Sequence, residues 1–202
     1  MHSVPSANDP RVVAPDIRDV LHQLIAADRD AEALVAGLSE EQGTRRLAPT
    51  SWSIAECLDH LATANRVYVQ AMREPAQRAR VRGLLRARPA KPGLFGDLFV
   101  ASLEPPPRWW SKSRAPRKIR PRMSPPLADA FAAFMTSQHD AREFFTENAD
   151  LDLASIRFPN PFVHGIRLSL ATGLHVIAAH DRRHLLQAWG VRRALESIEP
   201  QG

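Results

Sequence analysis

The chain has 202 residues, 44% of them hydrophobic, and a net charge of +5 from 27 Lys and Arg against 22 Asp and Glu. That length suits one domain with a sizeable core, and the apolar share excludes a disordered chain. Residues 73–122 hold fourteen basic and three acidic side chains, a net +11, so the remainder carries −6 and the basicity belongs to one segment.

Residues 1–15 read as a flexible N-terminal tail. They lack a basic n-region and an apolar h-region, so no signal peptide is expected. No run of about 18 apolar residues exists, which predicts no membrane span. A single cysteine, Cys57, rules out a disulfide within the chain. Together these features predict a cytoplasmic protein.

Asp16 is the expected cap of a first helix. Ile17, Val20, Leu21, Leu24, Ile25, Asp28, Ala31 and Leu34 follow close to a 3.6-residue period, with Gly37 as the stop. "SEEQGTRRLAPTS" then reads as a connector. The second helix opens on Ser53 with Glu56 three residues on, the capping-box pattern. Ile54, Leu58, Leu61, Asn65 and Tyr68 mark one face, and Cys57 reads as a buried, inert thiol. Pro75 predicts an end near Glu74, because the residue before proline avoids the α region.

Residues 75–123 are a basic, proline-rich insertion, too long for an ordinary connection. Short helices are expected over Ala76–Ala87 and Leu94–Leu103, with loop between and after them. The third helix starts behind a Ser124 cap, with Leu127, Phe131, Phe134, Met135, Gln138, Ala141 and Phe145 at helical spacing. A connector with two prolines leads to a fourth helix over Arg167–Trp189, stopped by Gly190, and 191–202 reads as a C-terminal tail. Four amphipathic helices with few strand signals predict an all-α, four-helix bundle over residues 16–190.

The last helix carries "HVIAAHDRRHLLQAW". At about 100° per residue, His180 and His184 lie about 40° apart, one turn along, while His175 is turned about 140° away. Gln187 falls on the same line as His180. A histidine pair four residues apart suits a divalent metal but needs a third ligand brought by the fold. His60, in "ECLDHL" at the edge of the second helix's apolar face, is the candidate. Glu56 and Asp59 are possible partners for its other ring nitrogen. Asp181 is expected to face solvent or an arginine. Arg183 and Gln187 are candidate substrate-binding residues, and Trp52 is expected to staple the helix entry rather than line the site. No general base stands out among Glu56, Asp59 and Asp181.

"SWSIAECLDHL" followed far downstream by "HVIAAHDRRHLLQA" resembles the DinB-like superfamily of four-helix-bundle metalloenzymes, the YfiT-type proteins. The resemblance covers residues 16–74 and roughly 124–189. It implies an up-down-down-up bundle with a three-histidine site at His60, His180 and His184, holding nickel or zinc. It implies thiol-dependent transferase or isomerase chemistry on a small molecule, with a low-molecular-weight thiol as co-substrate, and a homodimer. A divalent metal at such a site activates water as well as a thiol, so the expected activity is a thiol-dependent transferase or a hydrolase. The chain departs from the family in the 75–123 insertion and in having "HLLQ" where many relatives have a glycine after the second histidine. The alternative reading is a catalytically silent bundle that binds a partner or nucleic acid through the basic insertion, with Trp109 and Trp110 stacking on bases.

Overall fold

The computed structural model describes residues 13–105, 119–121 and 124–198. Among these the regular structure is helical apart from one small hairpin and an isolated bridge between Leu85 and Leu151. The helices are α1 (Pro15–Val35), α2 (Glu40–Thr44), α3 (Ile54–Val81), α4 (Gly93–Leu103), α5 (Leu127–Glu147) and α6 (Leu170–Ile198). Strands β1 (Arg157–Pro159) and β2 (Arg167–Ser169) pair antiparallel, with Phe158 opposite Leu168 and both buried. The expected all-α class holds. Among the described residues no helix is long and apolar enough to cross a membrane.

Several helix ends differ from the expected ones, each for a local reason. The α1 cap is Ala14, with Pro15 in the first turn; Asp16 instead holds Arg86 at 2.6 Å and the Ala90 N–H at 2.5 Å. Pro75 does not end α3, which runs on to Val81 and absorbs the first part of the helix expected over Ala76–Ala87. Proline within a helix costs about 3 kcal/mol. Here Pro75, Ala76 and Ala79 are buried, and Arg80 grips Asp150 and the Glu147 carbonyl, so packing outweighs the lost backbone bond. Ser124 does not cap α5. It sits at φ 47°, and the Leu127 N–H goes to Glu40 of α2 at 2.7 Å. The start expected at Arg167 is strand β2, and the Ser169 hydroxyl accepts the Thr172 N–H at 3.0 Å as α6 begins. Gly190 does not stop α6, because Val191 and Leu195 bury their side chains and Arg192 bonds the carbonyls of Ala33 and Leu34 at the end of α1.

The helix α4 falls where a short helix was expected and lies against α6. The Ser53–Glu56 capping box forms in full at the start of α3. A second capping box, Ser39 with Gln42, starts α2 inside the stretch read as a plain connector.

Each of α1 and α3 packs against both α5 and α6. Gln23, Asp30 and Ala33 of α1 meet Arg182, Trp189 and Arg192 of α6 in rising order, so these two helices run the same way. Asn65 meets Asp181, while Gly173 lies against Met72, so α3 and α6 run oppositely. Two apolar cores result. One gathers Leu34, Ile54, Leu58, Leu61, Phe134 and Leu185; the other gathers Leu24, Met72, Phe145, Phe158, Leu170 and Leu174. Burying such side chains contributes roughly 1.5–3 kcal/mol each before the cost of ordering the chain. Between the two cores Asn65, Gln138 and Asp181 form a hydrogen-bonded polar layer.

The basic segment is partly neutralised where it is described. Arg80, Arg86 and Arg88 pair with Asp150, Asp16 and Asp152. Trp109 and Trp110 lie outside the described residues.

Candidate metal centre

His60 on α3 and His180 and His184 on α6 converge. One ring nitrogen from each falls within a group no more than 4.8 Å across. The ring centroids are 4.9 Å apart for His60 and His180, 4.5 Å for His60 and His184, and 4.6 Å for His180 and His184. His60 is 1% exposed and His180 half-buried.

The hydrogen bonds decide which nitrogens are available. His60 Nδ1 lies 2.5 Å from the carbonyl oxygen of Ile119. A carbonyl only accepts, so Nδ1 carries the proton and Nε2 keeps its lone pair. His184 Nδ1 lies 3.0 Å from Gln187 Oε1, which likewise leaves its Nε2 unprotonated. The Nε2 atoms of His60 and His180 are 3.2 Å apart. Two nitrogens bound to one tetrahedral zinc at about 2.0–2.1 Å are themselves roughly 3.3 Å apart. The three-histidine donor set is therefore compatible with a divalent metal ion.

All three rings are held neutral. Burial depresses the pKa of His60 below the usual histidine value. Burial, then the neighbouring His184, His60 and Arg183, push His180 well below it. His184 is pushed down to about 3 by burial, with His60 and Arg183 adding. Neutral imidazole is the ligand form.

Trp52 belongs to the cluster. Its ring lies 4.8 Å from that of His60 and stacks on His184 at 5.6 Å and 29°. This corrects its expected place away from the site; a residue just ahead of the helix cap reaches back over the first turns of α3. Asp181 is also corrected. It faces neither solvent nor an arginine but is fully buried, taking Asn65 Nδ2 at 3.1 Å and Gln138 Nε2 at 2.6 Å. Burial pushes its pKa up to about 7 against those two bonds. Asp28, Asn65, Gln138 and Asp181 thus bring one buried polar group from each long helix, with Asp28 held by Arg142 at 2.5 Å.

Glu56 is committed to the Ser53 N–H and to Arg46. Asp59 is buried, and its charge raises the His60 pKa against the larger effect of burial. Arg183 donates to the Ser102 carbonyl at 3.2 Å. Gln187, a candidate for substrate, has its side-chain oxygen on His184. His175 turns away toward Ala90, as its angle on the helix predicts. Cys57 is buried, and burial pushes its thiol pKa up.

A family model described as the DinB superfamily matches residues 23–188. The chain belongs to the DinB superfamily. The match takes in all three histidines and the whole connection between α3 and α5. No curated protein and no solved structure matches the chain. Within this DinB-superfamily chain, Ile119 is the participant that sequence patterns do not reveal. It contributes a main-chain atom, 59 positions from the histidine it binds. Asn65 and Gln138 carried a signal: each is a polar residue on an otherwise apolar helix face.

Proposed function

We propose that the four long helices form an up-down-down-up bundle, and that His60, His180 and His184 hold a divalent metal, nickel or zinc. At that centre the protein would act in the cytoplasm on a small molecule, as a thiol-dependent transferase or a hydrolase. The observation that carries the reading is the arrangement of the three imidazoles. His60 and His184 have their Nδ1 atoms occupied by Ile119 and Gln187, the Nε2 atoms of His60 and His180 lie 3.2 Å apart, and one ring nitrogen of each histidine lies within 4.8 Å of the others. Bound there, a divalent cation supplies Lewis acidity to an oxygen or sulfur donor at its open side.

The chain's own groups do the rest in this reading. Trp52 covers the rings of His60 and His184 and keeps water from that side. Arg183 is the side chain we assign to an anionic substrate group, because it lies close enough to His180 and His184 to depress both. Gln187 orients His184 rather than binding substrate. Glu56 and Asp181 are fully engaged elsewhere, and Cys57 is buried, so a thiol nucleophile would come from a low-molecular-weight co-substrate.

Metal analysis of protein purified without a histidine tag tests this. About one equivalent of nickel or zinc per chain is the expected result, lost when His60, His180 and His184 are all replaced by alanine. Equal metal in the triple variant overturns the reading. A homodimer is part of the same proposal, supported by the apolar outer side of α4, where Leu94, Phe95 and Leu98 are exposed. Sedimentation of the wild type and of Leu98→Glu reads it: a dimer that the substitution dissociates supports this, and a wild-type monomer removes it.

A further inference from the structure

Two described parts of the long connection between α3 and α5, the end of α4 and Ile119, bond to the helices that carry the three histidines. The end of α4 holds the turn of α6 that lies between His180 and His184. Arg182 Nε donates to Glu104 at 3.1 Å, and Arg183 Nη1 donates to the Ser102 carbonyl at 3.2 Å. Further along the connection, Ile119 is 4% exposed and its carbonyl meets His60 Nδ1 at 2.5 Å.

We propose that this main-chain carbonyl of Ile119 is a positioning element of the centre. It accepts a hydrogen bond from the His60 Nδ1–H and so fixes the ring as the Nδ1–H tautomer, with the Nε2 lone pair turned toward His180. Neutral imidazole has one proton and two nitrogens to hold it. Without an acceptor at Nδ1, the proton is free to sit on Nε2, where it blocks ligation. A partner that binds the second nitrogen removes that state and stiffens the ring. The buried Ile119 side chain anchors the segment that carries the carbonyl. The readiness of one ligand is therefore set by the connection, not by the helix that bears the histidine. This inference rests on the three-histidine reading above.

The test uses nitrogen-15 NMR of the histidine rings in the full-length, metal-free protein, together with nickel and zinc affinity from chelator competition. In the wild type, His60 is expected as the Nδ1–H tautomer. Ile119→Asp withdraws the anchor into water, and Ile119→Ala loosens it. Ile119→Asp is expected to lose that tautomer and to weaken metal binding 10–100-fold, the usual cost of losing a ligand's outer partner. Ile119→Ala should show a smaller loss of the same kind. A wild-type His60 protonated at Nε2 overturns the proposal whether or not the variants fold. So does a folded Ile119→Asp protein with wild-type tautomer and affinity. A wild type that has the Nδ1–H tautomer but binds no metal supports the Ile119 bond and refutes the metal reading alone.

Discussion

The indole of Trp52 stacks on the imidazole of His184, ring centres 5.6 Å apart and planes 29° from parallel. An aromatic ring this close to a ligand reports on the centre optically. Nickel added to metal-free protein should quench tryptophan emission to saturation at one equivalent. Trp52→Phe keeps an apolar ring against the histidines, so it should retain metal binding and lose most of the quenching. Trp189 bonds Asp30 at 2.9 Å and serves as the internal control. Full quenching in the Trp52→Phe protein would place the metal elsewhere.

Asp181 gives a pH dependence with a definite sign. Burial raises its folded-state pKa from 3.8 to about 7. The folded protein then binds a proton that the unfolded chain has already released. Stability from this group is present below about pH 4 and declines as pH rises toward 7. The span corresponds to on the order of 4 kcal/mol. Asn at this position mimics the neutral acid. In metal-free protein, Asp181→Asn should gain on the wild type as pH rises from 5 to 8, measured by urea unfolding. Parallel stability curves would show that Asp181 does not titrate in that window.

The apolar stripes were legible because burial imposes a 3.6-residue period on any helix that faces a core. Leu24, Leu58, Phe134 and Leu174 sit where their spacing put them. The His180–His184 pair was legible for the same reason, since one turn of helix fixes the angle between two rings. The polar layer was half legible: Asp28, Asn65 and Gln138 each lie on an apolar face, but spacing does not say that they meet around Asp181. Helix ends were least legible. Pro75 and Gly190 are stop signals in isolation, and only tertiary partners such as Asp150 for Arg80 and the α1 carbonyls for Arg192 carry the helices past them. Ile119 was invisible, because a backbone carbonyl has the same chemistry at every position.

Gly96 is where α4 seats on α6. A Cβ added there would lie 2.5 Å from Thr172 Oγ1 and 2.7 Å from Pro92 Cβ. The threonine hydroxyl cannot easily yield, since it is held by Ser169 Oγ at 2.7 Å and by the Pro92 carbonyl at 3.3 Å. Gly96→Ala should therefore lift α4, weakening its docking by about 1–3 kcal/mol. Hydrogen exchange should quicken across 93–103 while α1, α3 and α5 keep wild-type protection. Unchanged exchange in α4 would mean that the seat accommodates a methyl group.

Cys57 decides where any thiol chemistry comes from. It lies one turn before His60, close enough in sequence to be mistaken for a nucleophile of the site. Its side chain is fully buried among Ile54, Leu58 and Leu61, and burial pushes its pKa above that of a free thiol. The thiolate is the reactive form, so both access and ionisation are denied. A thiol reagent such as iodoacetamide should leave the native protein unlabelled over hours at pH 8, and label one site per chain after unfolding in guanidinium. Cys57→Ala should keep wild-type metal content at a stability cost of about 1 kcal/mol or more from the lost sulfur contacts. Rapid labelling of the native protein, slowed by added zinc, would put the thiol in the centre and end the case for an external one.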